Sequence, residues 1–91
     1  MNTPRFELGQ TVMTRAALIT CREKGISPAE LITRHANLDQ GDLSDSDHRL
    51  NLQALKGEDR IFSSYVYGDS KFFVITEWDR SSTCVMLAED Y

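Results

Sequence analysis

Four side chains of the kind that bind transition metals or act as nucleophiles are spread along the 91-residue chain: Cys21, His35, His48 and Cys84. Structural zinc sites usually contain closely spaced pairs such as C-x-x-C or H-x-x-x-H, because ligands one turn apart reach the same ion. No pair in this sequence has such spacing. We therefore predict no metal and no other cofactor, and we interpret both cysteines, each within an apolar stretch, as free thiols that behave as small hydrophobes.

Motifs of nucleophilic catalysis and phosphate binding are also missing from the sequence. There is no nucleophile elbow and no Gly-rich phosphate loop, because the five glycines are scattered singly. The acidic run from Asp39 to Asp47 lacks the D-x-D-x-D-G rhythm of a calcium loop and is interpreted as a loop leading into a helix. The sequence favours a protein without enzymatic activity. One alternative stays open, a small-molecule binder or hydrolase in which Arg34, His35, Asp42 and Asp79 converge.

The segment from Trp78 to Ser82 has the composition most suited to contact with another molecule. It places the only Trp beside an acid, a base and hydroxyl groups, in a predicted loop between two strands. Trp and Arg are enriched in binding hot spots, and loops frequently carry function. The structural alternative is that Asp79 and Ser81 hydrogen-bond within their own turn while Arg80 pairs with a carboxylate such as Glu77.

Capping signals predict the two helices that precede these residues. Thr14 is a plausible N-cap, and Gly25 follows a basic last turn, so a helix is predicted at about residues 15–24. The run Ser27-Pro28-Ala29-Glu30 combines an N-cap, a proline at the first helical position and a capping-box Glu, which predicts a second helix. We expect that helix to bury Leu31, Ile32 and either His35 or Ala36.

Two further predictions concern the residues between the second helix and the C-terminal strands. Asn37 is expected to end the second helix in the left-handed conformation. A third helix is predicted from Ser44, as N-cap, to about Lys56, with Gly57 just beyond its end.

Hydrophobic residues recur at every second position near residues 9–13 and again after Arg60, which predicts strands. The C-terminal strands are predicted at Ile61 to Tyr67, Lys71 to Trp78 and Thr83 to Leu87. Because tight loops join them, we predict a three-stranded antiparallel meander with helices packed on one face, an α+β fold in a single domain, residues 1–91. One face is expected to carry Phe62, Val66, Phe73, Ile75, Val85 and Leu87. The sequence also allows the first strand to join the sheet at an edge.

Charge and hydropathy limit the classes of partner and compartment. Residues 1–36 hold five basic and three acidic side chains, and residues 37–91 hold five basic and eleven acidic ones. Without a basic stripe that could follow phosphates, direct nucleic-acid binding is not expected. The apolar runs are too short to span a bilayer and no secretion signal is visible, so we expect no membrane contact and a cytoplasmic location with reduced cysteines.

Several short motifs, spread over nearly the whole chain, are similar to those of a known family. They are Thr3-Pro4-Arg5-Phe6, Leu8-Gly9-Gln10, Arg34-His35, Gly41-Asp42-Leu43, Gln53-Ala54-Leu55, Val74-Ile75-Thr76-Glu77 and Asp79-Arg80-Ser81. In these the chain resembles a family of short, uncharacterised bacterial proteins encoded on plasmids and integrative conjugative elements. The chain departs from that family at Gln40, where a Trp is usual, at Trp78, where a small residue is usual, and near Ala88, where a proline is usual. The resemblance implies a bacterial mobile element and no particular activity.

From these observations we predict a non-enzymatic accessory or protein-interaction domain of a mobile genetic element, which contacts a partner protein or a second copy of itself. The candidate interaction residues are Trp78, Asp79, Arg80, Ser81, Arg34, His35 and Asp42. Besides the small-molecule binder or hydrolase, a second alternative is an acidic regulator or nucleic-acid mimic acting on a host restriction or nuclease system. It is motivated by the excess of acidic residues after position 36.

Overall fold

The computed structural model describes residues 6–39, 49 and 59–91. Over these residues the fold is α+β, as predicted. The elements are strand β1 (Gln10–Met13), helix α1 (Arg15–Lys24), helix α2 (Pro28–Ala36), strands β2 (Ile61–Tyr67), β3 (Ser70–Thr76) and β4 (Ser82–Leu87), and a short 3-10 helix (Ala88–Asp90). Of the third predicted helix, from Ser44 to Lys56, only Arg49 is described, and it is helical and exposed; the other residues lie outside the described part of the chain.

The sheet is mixed and has four strands in the order β1-β4-β3-β2. Strands β2, β3 and β4 form the expected antiparallel meander, but β1 joins it in parallel beside β4. The predicted three-stranded meander thus matches only in part, because it belongs to a larger, mixed sheet in which β1 takes an edge position and runs parallel to its neighbour. Parallel neighbours need a long crossover connection, and residues 14–81 provide one between β1 and β4.

Both helices begin where their local sequences predict. The side chain of Thr14 accepts a hydrogen bond from the N–H of Ala17, and Gly25 ends α1 in the left-handed conformation, with φ 67°. The side chain of Ser27 accepts a hydrogen bond from the N–H of Glu30 at the start of α2. These caps satisfy backbone groups that a helix end leaves without an internal partner, which is why the boundaries are readable from sequence.

The end of α2 differs from the prediction. Asn37 has φ −95°, and the left-handed residue is Leu38, with φ 62°. The chain leaves the helix through a Schellman motif, in which the N–H of Asp39 donates to the carbonyl of Arg34 at 2.9 Å. Asn37 instead uses its side chain, whose Nδ2 donates to the carbonyl of Thr33 at 2.8 Å. Leu38 thus takes the left-handed position that we had expected Asn37 to occupy, and the Asn37 side chain adds a hydrogen bond to the last turn of the helix.

The helices pack on one face of the sheet and form the core there. The core consists of Ala17, Cys21, Leu31, Tyr65, Phe72, Val74, Val85 and Leu87. The faces of β2 and β3 were predicted with the wrong phase, since Phe62, Val66, Phe73 and Ile75 lie on the opposite face from Val85 and Leu87. On that opposite face, the ring centroids of Phe62 and Phe73 lie 4.6 Å apart.

In the part of the chain that the structure describes, no helix combines the length and the apolar character needed to cross a membrane.

Candidate functional site

A buried chain of polar side chains runs from α2 through the sheet to the N-terminal segment. His35, which has no exposed surface, places Nδ1 at 2.6 Å from the Oγ of Ser63 and Nε2 at 2.8 Å from the Oγ1 of Thr76. The Oγ1 atoms of Thr76 and Thr83 are 2.7 Å apart, and Thr83 donates to the carbonyl of Leu8 at 2.7 Å. We call Ser63, His35, Thr76 and Thr83 the histidine–hydroxyl chain.

The direction of every hydrogen bond in this chain follows from its last member. Thr83 has one hydroxyl proton and gives it to the Leu8 carbonyl, so Thr76 must donate to Thr83. Thr76 then has no proton left for His35, so the Nε2 of His35 carries a proton and donates to Thr76. A neutral imidazole carries a single proton, so Nδ1 accepts from the hydroxyl of Ser63. One tautomer of His35 satisfies all these groups at once.

The surroundings of His35 favour its neutral form. Burial lowers the pKa of His35 from 6.5 to about 4, because a charged imidazolium would lose its hydration in the core. Phe6 places its ring edge-on to the imidazole, with 5.3 Å between centroids. His35 is therefore a satisfied core residue that joins α2, the sheet and the N-terminal segment, and it presents no atom to a substrate.

Arg34, next to His35 in sequence, lies at the surface in a separate cluster. Its Nε donates to the Oδ2 of Asp39 at 2.7 Å, and its NH1 donates to the hydroxyl of Tyr67 at 3.2 Å. The guanidinium carbon lies 4.3 Å from the ring centroid of Tyr65, and the Tyr65 hydroxyl donates to the Asp39 carbonyl. Asp39 raises the pKa of Arg34, and burial raises the pKa of Tyr65 to about 12. The cluster fastens the end of α2 to β2.

The loop between β3 and β4, residues 77–81, holds the predicted contact residues, and we call it the Trp78 loop. Arg80 folds back on it, and its NH1 donates to the carbonyls of Asp59 at 2.6 Å, Glu77 at 3.1 Å and Trp78 at 3.3 Å. Arg80 also takes φ 60°, an uncommon conformation for a residue with a Cβ. The carboxylate of Glu77 pairs with Arg60 at 3.5 Å, and Arg80 reaches Glu77 through its backbone carbonyl.

Asp79 and Gly9 also hold the Trp78 loop in place. The Oδ1 of Asp79 accepts from the N–H of Ser81 at 3.0 Å, as predicted, and the hydrogen bonds from Ser81 lower the pKa of Asp79. Gly9, at φ 65°, packs so closely that a Cβ there would lie 2.4 Å from the carbonyl oxygens of Arg80 and Ser81. Trp78 remains 52% exposed on a loop whose backbone is bonded on several sides.

The structure groups some of the predicted site residues and separates others. Trp78, Asp79, Arg80 and Ser81 share one loop, next to the end of β3 that pairs with the start of β2. Arg34 instead contacts Tyr67, six residues further along β2, which corresponds to about 20 Å of extended strand. His35 is buried between these two regions, and Asp42 lies outside the described residues. The described residues therefore do not bring Arg34, His35 and Asp79 together as a small-molecule or hydrolytic site.

Other potential binding features of the described residues contain none of the predicted site residues. A surface cavity of about 350 Å³ lies beside the ion pair of Lys24 and Asp69. Its lining consists of Thr20, Lys24, Asp69, Ser70, Lys71, Leu87, Ala88 and Glu89. Within residues 6–39 and 59–91, no group of three His, Cys, Asp or Glu residues is arranged to hold a metal ion.

Sequence reasoning missed four residues that matter structurally, namely Ser63, Thr76, Thr83 and Gly9. A signal existed for His35, which follows Leu31 by four positions and so shares its buried stripe. Its hydroxyl partners had no such signal, because they come from strands 28 and 41 residues away in sequence. The close approach of Gly9 to the Trp78 loop likewise depends on a pairing between distant segments.

Comparison of the chain with protein-family models, with curated proteins and with solved structures gives no match. Its function therefore has to be argued from its own residues.

Proposed function

We propose that the protein is a non-enzymatic interaction domain that binds a partner protein through Trp78. The observation that carries the proposal is a half-exposed Trp on a loop held by its own polar groups. Binding normally costs conformational freedom of the contacting loop, and a loop that is already fixed loses less of it. The Trp78 loop is thus prepared for contact before a partner arrives.

The distribution of polar groups supports a binding role over a catalytic one. In the Trp78 loop, Arg80 and Asp79 bind backbone groups, and Trp78 is the large apolar side chain that the loop exposes. Trp is also the residue type most enriched in interface hot spots. In keeping with the resemblance to proteins of mobile elements, we place the partner in the bacterial cell that carries such an element.

The test compares three immobilised forms of the protein as baits in a lysate of the cell that expresses it. These are the wild type, Trp78→Ala and, as a matched control, Ile19→Ala, which removes another large exposed hydrophobic residue, 43% exposed, on α1. We expect at least one protein to bind wild type and Ile19→Ala equally and to bind Trp78→Ala at least tenfold less. The proposal fails if no retained protein distinguishes Trp78→Ala from the control.

Fluorescence provides the confirming measurement once a binding protein has been purified. Trp78 is the only Trp in the chain, so the intrinsic emission reports on this loop alone. If Trp78 lies in the interface, its emission shifts to the blue in the complex and acrylamide quenches it less. The emission of the binding protein alone is measured at the same concentration and subtracted. Unchanged quenching in a saturated complex would place the contact elsewhere.

A further inference from the structure

Strand β1 has one side paired and the other side open within the described residues. The N–H of Gln10 donates to the carbonyl of Ser81, and the N–H of Thr14 donates to the carbonyl of Val85, each at 3.0 Å. Along a strand, alternate residues direct their N–H and C=O groups to opposite sides. Gln10, Val12 and Thr14 therefore face β4, while the backbone groups of Thr11 and Met13 point away from the sheet. Among the described residues, nothing accepts a hydrogen bond from the N–H of Thr11 or Met13.

Apart from its short length of four residues, this edge lacks the features that usually protect an open strand. Edge strands are commonly guarded by charged residues, prolines or bulges, and β1 reads Gln-Thr-Val-Met. Val12 is 42% exposed on the face opposite the helices, beside Cys84. Exposed charges of opposite sign flank the strand, with Glu7 before it and Arg15 after it. The edge is uncharged in the middle and carries opposite charges at its two ends.

We propose that β1 pairs antiparallel with the β1 of a second copy of this chain, about a two-fold axis at Val12. In this register Thr11 of each copy lies opposite Met13 of the other, and the two pairs exchange four backbone hydrogen bonds. Val12 of each copy lies on the axis in a non-hydrogen-bonded pair, where side chains approach closely and cover each other. The two four-stranded sheets then form one continuous eight-stranded sheet with an isologous interface.

The edge fits its own copy better than an arbitrary strand, for two reasons. The open donors and acceptors are symmetric about Val12, so one copy supplies the partners that the other needs. An antiparallel copy also brings Glu7 of each chain towards Arg15 of the other, whereas a strand without that charge pattern gains nothing there. The contact consists of two four-residue strands and the side chains beside them, whereas stable assemblies bury roughly 1,000 Å² or more, so we expect a weak dimer, with a Kd on the order of 100 µM.

The first experiment measures the dimer by sedimentation equilibrium of the whole chain from about 5 µM to 1 mM, a range that spans the expected Kd. Thr11→Pro removes the outward N–H and leaves the bonds to β4, which involve other residues, and proline is accepted at such outward edge positions. Thr11→Val keeps the N–H and the β-branched shape. Wild type and Thr11→Val should dimerise alike, and Thr11→Pro should raise the Kd at least tenfold. A wild type that is monomeric at 1 mM overturns the proposal, as does a folded Thr11→Pro that dimerises normally.

A second experiment needs no variant and so does not depend on whether Thr11→Pro folds. Amide hydrogen exchange of the wild type is followed by NMR at low and high protein concentration. The amides of Thr11 and Met13 should become more protected as concentration rises, while that of Val12, which already bonds to β4, should not change. Equal protection of Thr11 at both concentrations contradicts the proposal. Because this edge does not include Trp78, Trp78→Ala should dimerise like the wild type, so dimerisation and partner binding can fail separately.

Discussion

The histidine–hydroxyl chain and the Trp78 loop are both built from satisfied polar groups, yet they leave different side chains available. In the core, each donor meets an acceptor on another buried side chain or on the Leu8 carbonyl, and no polar atom reaches solvent. In the loop, Arg80 and Asp79 bind backbone atoms and leave Trp78 half-exposed. A polar residue type therefore does not by itself mark a functional site. The side chain left exposed by a satisfied network is the more informative one.

The largest expected effect comes from the contact that links the N-terminal segment to the Trp78 loop. In Gly9→Ala the new Cβ would lie 2.4 Å from backbone atoms of Arg80 and Ser81. The alanine would also have to keep the left-handed φ of 65°. The left-handed conformation costs about 1–2 kcal/mol and the overpacking about 1–3 kcal/mol, so we expect a loss of about 3–4 kcal/mol in the free energy of unfolding, measured in urea.

Gly25→Ala is the matched control for this substitution. Gly25 has nearly the same φ, 67°, but among the described residues no atom outside its own stretch of chain lies within 4 Å of the position of its Cβ. It should therefore show only the conformational cost of the left-handed region, about 1–2 kcal/mol. If the two variants lose equal stability, the close approach of Gly9 to the loop is not energetically important.

A change of pH acts on the core and not on the Trp78 loop. The pKa of His35 is lower in the folded protein, at about 4, than its ordinary value of 6.5, so the unfolded chain binds the proton more readily. The stability that depends on neutral His35 is therefore complete above pH 6.5 and is lost as the pH falls towards 4. Between pH 7.5 and pH 5 this amounts to about 2 kcal/mol.

Urea unfolding of wild type and His35→Gln at these two pH values measures the effect. Glutamine keeps a donor and an acceptor but does not titrate, and the second histidine, His48, is common to both proteins. We expect the variant to be less stable at pH 7.5 and to lose about 2 kcal/mol less than wild type on acidification. Parallel losses in the two proteins would contradict a buried neutral imidazole.

The smallest expected effect separates the hydrogen bonds of Arg80 from its backbone strain. Arg80→Ala removes the bonds to three carbonyls and keeps a Cβ at φ 60°, so we expect a loss of about 1–2 kcal/mol. Arg80→Gly loses the same bonds but relieves the left-handed strain, so it should be about 1 kcal/mol more stable than Arg80→Ala. Thermal unfolding of both variants checks the difference. An Ala variant as stable as the Gly variant would show that φ at Arg80 carries no cost.

Features fixed by neighbouring residues could be predicted from the sequence. The N-caps Thr14 and Ser27 and the left-handed Gly25 depend only on groups within one helical turn, and the structure confirms all three. The α+β class followed from the change of hydrophobic period, which is also a local property. For the candidate site, the turn of Asp79 and Ser81 was predictable for the same reason.

Features that depend on distant pairing could not be predicted. Ser63 is less apolar than its neighbour Phe62, so a hydrophobic pattern places Phe62 in the core. In the structure Ser63 is buried instead, because His35, 28 residues earlier, supplies its hydrogen-bond partner. The parallel pairing of β1 with β4 is likewise absent from any local window, and both the role of Gly9 and the open edge at Thr11 follow from it.

The position of β4 in the sheet has a consequence for how the protein is made. This strand lies between β1 and β3, and it is synthesised after the other described strands and after α1 and α2. The ribosome adds 74 residues after Met13 before it reaches Leu87, which takes about 4–15 s at typical elongation rates. During that interval β1 lacks β4, its neighbour among the described strands. We expect the nascent chain to remain protease-sensitive until residues 82–87 are released, and then to fold in one late step.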